Sequence, residues 1–282
     1  METIIEQGRY VRANGIDVYY RDVGEGLPLV LLHGGLVSSS TRWAGVPVSY
    51  ASHLDELARR FRVIAPDTRG CARTAHSGTE SISFALLADD VVGLIDALGL
   101  ERPLIAGFSE GAITATILGI RAPESVGAIV NHAGHDFFNP QAPSFQMMRQ
   151  LFGGSPDATR TDPDAVERFF DQSEPMRSMF ALMQLDQDEA REPGYWRTYL
   201  ELAFDRTTHW PGYAFDDLAK ISAPTLLLSG DRDQFCSVEE AVTAYRILPR
   251  GELAILPDTG HVITQTAIAA TIEFLERHGS SR

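Results

Sequence analysis

The stretch Pro103-Leu-Ile-Ala-Gly-Phe-Ser109-Glu-Gly-Ala-Ile-Thr-Ala-Thr-Ile-Leu118 decides the fold. Pro103–Ala106 is a short apolar run of the kind that forms a buried strand, and Glu110–Arg121 has the length and composition of a helix. Between them lies Gly107-Phe-Ser-Glu-Gly111, a serine with a glycine two residues to either side. A strand that turns into a helix over so few residues brings backbone against backbone, and glycine is the residue that tolerates it. The serine at the apex is then held in strained geometry, its hydroxyl exposed at the C-terminal edge of the sheet. The start of the following helix puts partial positive charge where an oxyanion would develop. Five residues alone are a weak signal. In a strand–turn–helix setting they read as a nucleophile elbow, with Ser109 as the nucleophile.

The flanking sequence repeats the strand–helix alternation. Two β-like segments, Gly8–Ala13 and Ile16–Asp22, are joined by Asn14-Gly15, a strong hairpin signal. Leu29–Leu32 is apolar throughout, as a strand covered on both faces should be, and runs into His33-Gly-Gly35. A helical stretch at His53–Arg60 precedes a strand at Phe61–Ala65, which ends in Pro66-Asp-Thr-Arg-Gly70. Ser83–Leu98 has helical apolar spacing and stops at Gly99, and Val126–Asn131 is a further strand. From Asp136 to Trp210 the strand signal vanishes, leaving amphipathic patches rich in Met, Phe and Asp; this is too long for a plain loop. Strands return at Pro224–Ser229 and Glu252–Leu256, each followed by a helix, Val238–Leu248 and Thr264–Arg277. The pattern predicts an α/β fold: a doubly wound, mostly parallel sheet built from residues 1–135 and 211–282, with 136–210 inserted as a helical cap.

From about residue 15 to residue 277 the chain resembles the α/β-hydrolase superfamily, in its single-domain branch with a helical cap. The resemblance rests on five features in the family's order: His33-Gly-Gly, Asp67-Thr-Arg-Gly, the elbow at Ser109, Gly230-Asp-Arg-Asp233 and Pro257-Asp-Thr-Gly-His261. It implies that His261 is the general base, in a loop after the last strand with a glycine before it. No other histidine combines that setting with the chain order serine, acid, histidine. The family's G-x-x-D spacing selects Asp233 as the acid. Asp136, just past the preceding strand, is the rival, and Asp231 and Asp233 also read as caps of the helix near Ser237. The oxyanion donors implied are the backbone N–H groups of Glu110 and of Gly35. A carboxylate beside an oxyanion must turn away or pair with a cation, for which Arg69 and Arg73 are the candidates.

Leu36, Phe108, His132, His135, Phe152 and Phe180 are expected to line the substrate pocket. For His132, His135 and Asp136, pocket polarity and plain turn or core duty both stay open; as metal ligands they make a poor set, and the resemblance implies neither metal nor cofactor. The expected chemistry is hydrolysis of a small carboxylic ester or lactone through an acyl-enzyme. Carbon–carbon bond hydrolysis of a dioxo acid is the alternative, as is a slow-turnover ligand receptor on the same fold.

Composition narrows the partners. The 282 residues carry 38 acidic against 24 basic side chains, a formal charge of -14, which disfavours nucleic acid and anionic membranes. A small molecule bearing a carbonyl group fits better, and a homodimer is left open. Cys71 and Cys236 lie in no metal-ligand spacing and read as two thiols, and the N-terminal residues lack the pattern of a signal peptide, so the expected location is cytoplasmic.

Overall fold

The computed structural model describes residues 8–35, 39, 50–76 and 81–279. Among these the chain forms an eight-stranded sheet in the order β1-β2-β4-β3-β5-β6-β7-β8. The strands are β1 (Gly8–Ala13), β2 (Ile16–Val23), β3 (Pro28–Leu32), β4 (Arg62–Pro66), β5 (Leu104–Phe108), β6 (Ala128–His132), β7 (Thr225–Gly230) and β8 (Gly251–Leu256). The hairpin β1–β2 and the β2–β4 pair are antiparallel; the pairs from β4 through β8 are parallel.

The apolar strands are covered on both faces, as their unbroken apolar runs demand. On one face Val30, Leu32, Ile64, Ile105, Ile129 and Leu227 pack against α2 (Phe84–Ala97), α3 (Glu110–Arg121) and α8 (Val238–Ile247). Alternate residues of the same strands, including Leu29, Leu31, Val63, Ala106 and Val130, face α1 (Leu54–Ala58) and α9 (Gln265–Gly279). Strand β5 runs to Phe108, two residues beyond the apolar run that announced it. Gly107 and Phe108 remain in register with Asn131 and His132 of β6, so the ladder carries straight to Ser109.

Between β6 and β7 stand α4 (Ser144–Gly153), α5 (Pro163–Phe170), α6 (Glu174–Ala190) and α7 (Tyr195–Thr208). They bury an apolar cluster of their own, with Phe152, Phe170, Phe180, Met183, Trp196 and Phe204 at its centre. Polar contacts tie these helices to the turn after β4. Gln187 accepts from the Ala72 N–H at 2.8 Å, Tyr195 donates to the Gly70 carbonyl at 3.0 Å, and Arg73 pairs with both Asp67 and Asp186.

Asp67-Thr-Arg-Gly70 therefore has a structural use. Arg69 forks onto Asp90 of α2 at 2.8 and 2.6 Å, and Asn14 of the β1–β2 turn donates to the same carboxylate at 2.7 Å. The pair is buried, and removing one partner strands the other charge. We expect Arg69→Met to lower the unfolding free energy by about 3 kcal/mol and Arg69→Met/Asp90→Leu to regain most of it. Urea denaturation checks both, and a neutral single variant would refute the account.

Candidate active site

Ser109 joins the end of β5 to the start of α3 with φ 53° and ψ -118°, a left-handed φ that few non-glycine residues adopt. Its surroundings hold it there. Its N–H donates to the His132 carbonyl at 2.9 Å, and its own carbonyl accepts from Ala112 and Ile113 at 2.9 and 3.1 Å. A side chain at Gly107 would fall on the carbonyl of Gly111, and one at Gly111 on the carbonyls of Leu32 and His33. The two glycines of the motif are thus required by close backbone approach.

The candidate acid and base stand in the turns after β7 and β8. The Asp233 side chain is shut off from solvent and accepts from His261 Nδ1 at 2.9 Å. It also accepts from the N–H groups of Phe235 and Cys236 at 2.8 and 3.1 Å. Burial alone would raise the Asp233 carboxyl; the hydrogen bond to His261, its charge and the two backbone donors overcome this and hold it below the usual range. With Nδ1–H committed to Asp233, Nε2 is the basic nitrogen of neutral His261. The ring is wedged between Phe108 and Phe235, at centroid distances of 4.7 and 4.8 Å.

Asp231 fastens these two turns together. Its carboxylate accepts from the Thr259 N–H at 3.3 Å, and Arg232 N–H donates to the Thr259 carbonyl at 2.9 Å. Gly230 lies so close beneath Thr259 that any side chain there would strike its carbonyl. Neither Asp231 nor Asp233 accepts from the first turn of α8; that duty falls to Ser237, which accepts from the Glu240 N–H at 3.2 Å.

Across the cavity, the turn after β3 is ordered by a histidine of defined tautomer. The Thr68 N–H donates to His33 Nε2 at 3.1 Å, so Nδ1 carries the proton and donates to the Gly34 carbonyl at 2.6 Å. Gly35 follows, and a side chain on it would run into the Glu110 carboxylate. That carboxylate takes neither expected cation, because Arg69 is held by Asp90 and Arg73 by Asp67 and Asp186. Its partner is Arg206 of α7, whose Nε donates to Oε2 at 2.6 Å. The sequence offered no signal for this contact, since only the docking of α7 brings the two together.

Gly34, Gly35, Phe108, Ser109, Glu110 and His261 line one cavity of about 220 Å³. Phe152 lies on its wall with Met148, Phe169, Phe170, Met176 and Met179. Phe180 does not: it stacks behind Phe170 at 5.0 Å and packs edge-on to Trp196, as part of the core of the inserted helices. Two other expected lining residues also sit behind the wall. His132 is buried against Tyr50 and Phe108, and burial pushes its imidazole down to about 3, so it is neutral. His135 bonds through Nε2 to the Ser237 carbonyl at 3.0 Å. Leu36 lies outside the described residues.

Asp136 does reach the cavity, where Cys236 donates its thiol to Oδ1 at 3.1 Å. Burial pushes this carboxyl up to about 6, with Ser144 and Cys236 opposing the rise. Cys71 lies against Gln187, far along the chain from Cys236, and both are buried thiols. No helix among the described residues is long and apolar enough to cross a membrane.

The profile of the family described as alpha/beta hydrolase fold matches residues 28–264. The 2-hydroxymuconate semialdehyde hydrolase of Pseudomonas sp. strain CF600 is 28% identical over 269 residues, covering 91% of this chain and 88% of that protein. Among solved structures, the enol-lactonase of Burkholderia xenovorans LB400 superposes with a TM-score of 0.71 at 17% identity, covering 97% of this chain and 100% of that one. A thermophilic esterase from Thermogutta terrifontis gives 0.70 at 20% identity, with 96% and 99% covered. Likeness at such identities speaks for the fold, whereas the profile spans most of the sequence, from the first residue of β3 to the loop before α9. On that match the chain belongs to the α/β-hydrolase fold family.

Proposed function

We propose that the protein hydrolyses a small, uncharged carboxylic ester or lactone through an acyl-enzyme on Ser109. The observation that carries this reading is the joint make-up of one cavity. Ser109 and the Asp233-bound His261 share it with a wall of Met and Phe side chains that includes no Lys or Arg among the described residues. Such a wall suits an apolar acyl or alcohol group.

In the first step His261 Nε2 takes the Ser109 hydroxyl proton as Oγ attacks the carbonyl carbon. The tetrahedral oxyanion lies between the Gly35 and Glu110 N–H groups, while Asp233 stabilises the imidazolium. Collapse breaks the ester bond, and the leaving alkoxide takes the proton from His261. Water, deprotonated by the same nitrogen, then attacks the acyl carbon, releasing the acid and restoring Ser109.

The Pseudomonas relative favours a second reading, carbon–carbon bond hydrolysis of a dioxo acid on the same triad. Against it stands the substrate carboxylate, which would lie beside the Asp136 carboxyl with no lysine or arginine among the described lining residues to receive it.

A panel of aryl esters of rising acyl length, lactones and dioxo acids separates the two. Repeated turnover of esters or lactones is expected, while turnover of dioxo acids alone would overturn the first reading. A single burst that then stalls would indicate a receptor. Ser109→Ala should abolish turnover and labelling by a serine-directed phosphonate while leaving the protein folded. Phe170→Ala should enlarge the wall and shift the preferred acyl length upward, unless the loss of its stack on Phe180 unfolds the inserted helices; circular dichroism distinguishes the two.

Asp233→Asn should lower kcat about ten-thousand-fold, as the wrong imidazole tautomer does in another triad, and Asp136→Asn far less. Asp136 has its own signature in stability. Its folded form titrates at about 6 rather than 3.8, so the native state holds the extra proton and stability falls as pH rises across that window. The fall should be about 3 kcal/mol, and Asp136→Asn should remove it. Urea melts between pH 4 and pH 7, run alongside the kinetics, settle whether Asp233 or Asp136 is the acid.

A further inference from the structure

We propose that Arg206 of α7 is a positioning residue for the oxyanion site: through Glu110 it fixes both oxyanion peptides and cancels a carboxylate that would otherwise oppose the transition state. This inference rests on the reading of Ser109 as the nucleophile of acyl transfer.

Glu110 is an unfavourable neighbour for a developing oxyanion. Its N–H is one donor, and its carboxylate lies directly against Gly35, the other. The carboxylate is buried, with its side chain 11% exposed, so water screens it poorly. An unpaired negative charge there would repel the oxyanion as it forms and slow that step on the order of a hundredfold. Arg206 Nε meets Oε2 at 2.6 Å with its own side chain 3% exposed, which removes that repulsion.

The arginine is itself immobilised. Its Nη1 donates to the Leu202 carbonyl at 3.0 Å, and its guanidinium lies 5.8 Å from the Tyr199 ring centroid. Tyr199 and Cys71 are the titratable groups packed around the pair, and burial raises both, keeping them neutral. Across the cavity the facing ionisable groups are Asp136, His261 and Cys236, whose thiol burial keeps neutral. Arg206 is therefore the one cation beside the Glu110 carboxylate among the described residues. Thr207, its neighbour, lines the cavity, so the same turn of α7 closes the substrate space and neutralises its base. Positioning of the inserted helices and polarity of the oxyanion site are thereby one event.

The test compares Arg206→Met, Arg206→Lys and Glu110→Gln/Arg206→Met for ester kinetics and for the rate of phosphonate labelling of Ser109. Arg206→Met should lose about a hundredfold in kcat with KM changed by no more than a few fold. Arg206→Lys should retain most activity. The double variant, with no charge to cancel, should recover to within about tenfold of wild type. If Arg206→Met does not fold, the lysine and double variants carry the comparison.

The proposal is overturned if Arg206→Met stays within about threefold of wild type. It is also overturned if the double variant, folded, is as impaired as the single one, since a packing role alone predicts that. Failure of wild type to be labelled at Ser109 would instead overturn the acyl-transfer reading and take this inference with it. Labelled wild type with unaffected variants sinks the clamp alone.

Discussion

Close approach of one backbone to another at the turn after β5 is the constraint on which the site depends. Gly107, Gly111 and Gly134 each lie where a methyl group would overlap a neighbour: Gly111 on β3's last carbonyls, Gly134 on the Ser109 carbonyl and Ala112. The left-handed Ser109 persists because strands β3, β5 and β6 and helix α3 converge there too tightly for the chain to relax. The same convergence brings the His33-Gly-Gly loop beside the start of α3. A strained serine and a glycine loop set against the start of α3 are therefore two results of one packing arrangement.

A second close approach, at Gly230, does for Asp233 and His261 what the elbow does for the serine. Because the Thr259 carbonyl rests over Gly230, the turns after β7 and β8 behave as a single bonded unit. Asp231 contributes to that unit by tethering Thr259, which leaves Asp233 free to hold the imidazole. The adjacent carboxyls thus differ in task because of what lies above them. The third carboxyl, Asp136, is buried beside Cys236 and Ser144, and that burial pushes it up to about 6.

Much of this was legible in local sequence. The limits of α3, the hairpin at Asn14-Gly15 and the break in strand pattern after β6 follow from apolar spacing and glycine placement, which act within a few residues. Contacts made by docking were not legible. Arg206 reaches Glu110 across 96 residues, and nothing in either segment marks the partnership. Phe169 and Phe170 reach the cavity while Phe180 does not, because which face of a helix meets the core is set by how the helix docks. His132 and His135 were read from their place after a strand, but the ends of β6 turn them inward, to Tyr50 and to the Ser237 carbonyl.

The parallel strands deliver their C-terminal ends to one edge, and the site takes its parts from the turns that follow β3, β5, β7 and β8. No stretch of chain shorter than most of the fold contains a working set. During synthesis β5 and the elbow emerge well before the turn that carries His261, and β8 takes the outermost place in the sheet order. A partly folded chain would hold a bent serine with no base beside it. The elbow and the imidazole that shares its cavity therefore become neighbours only through the sheet between them.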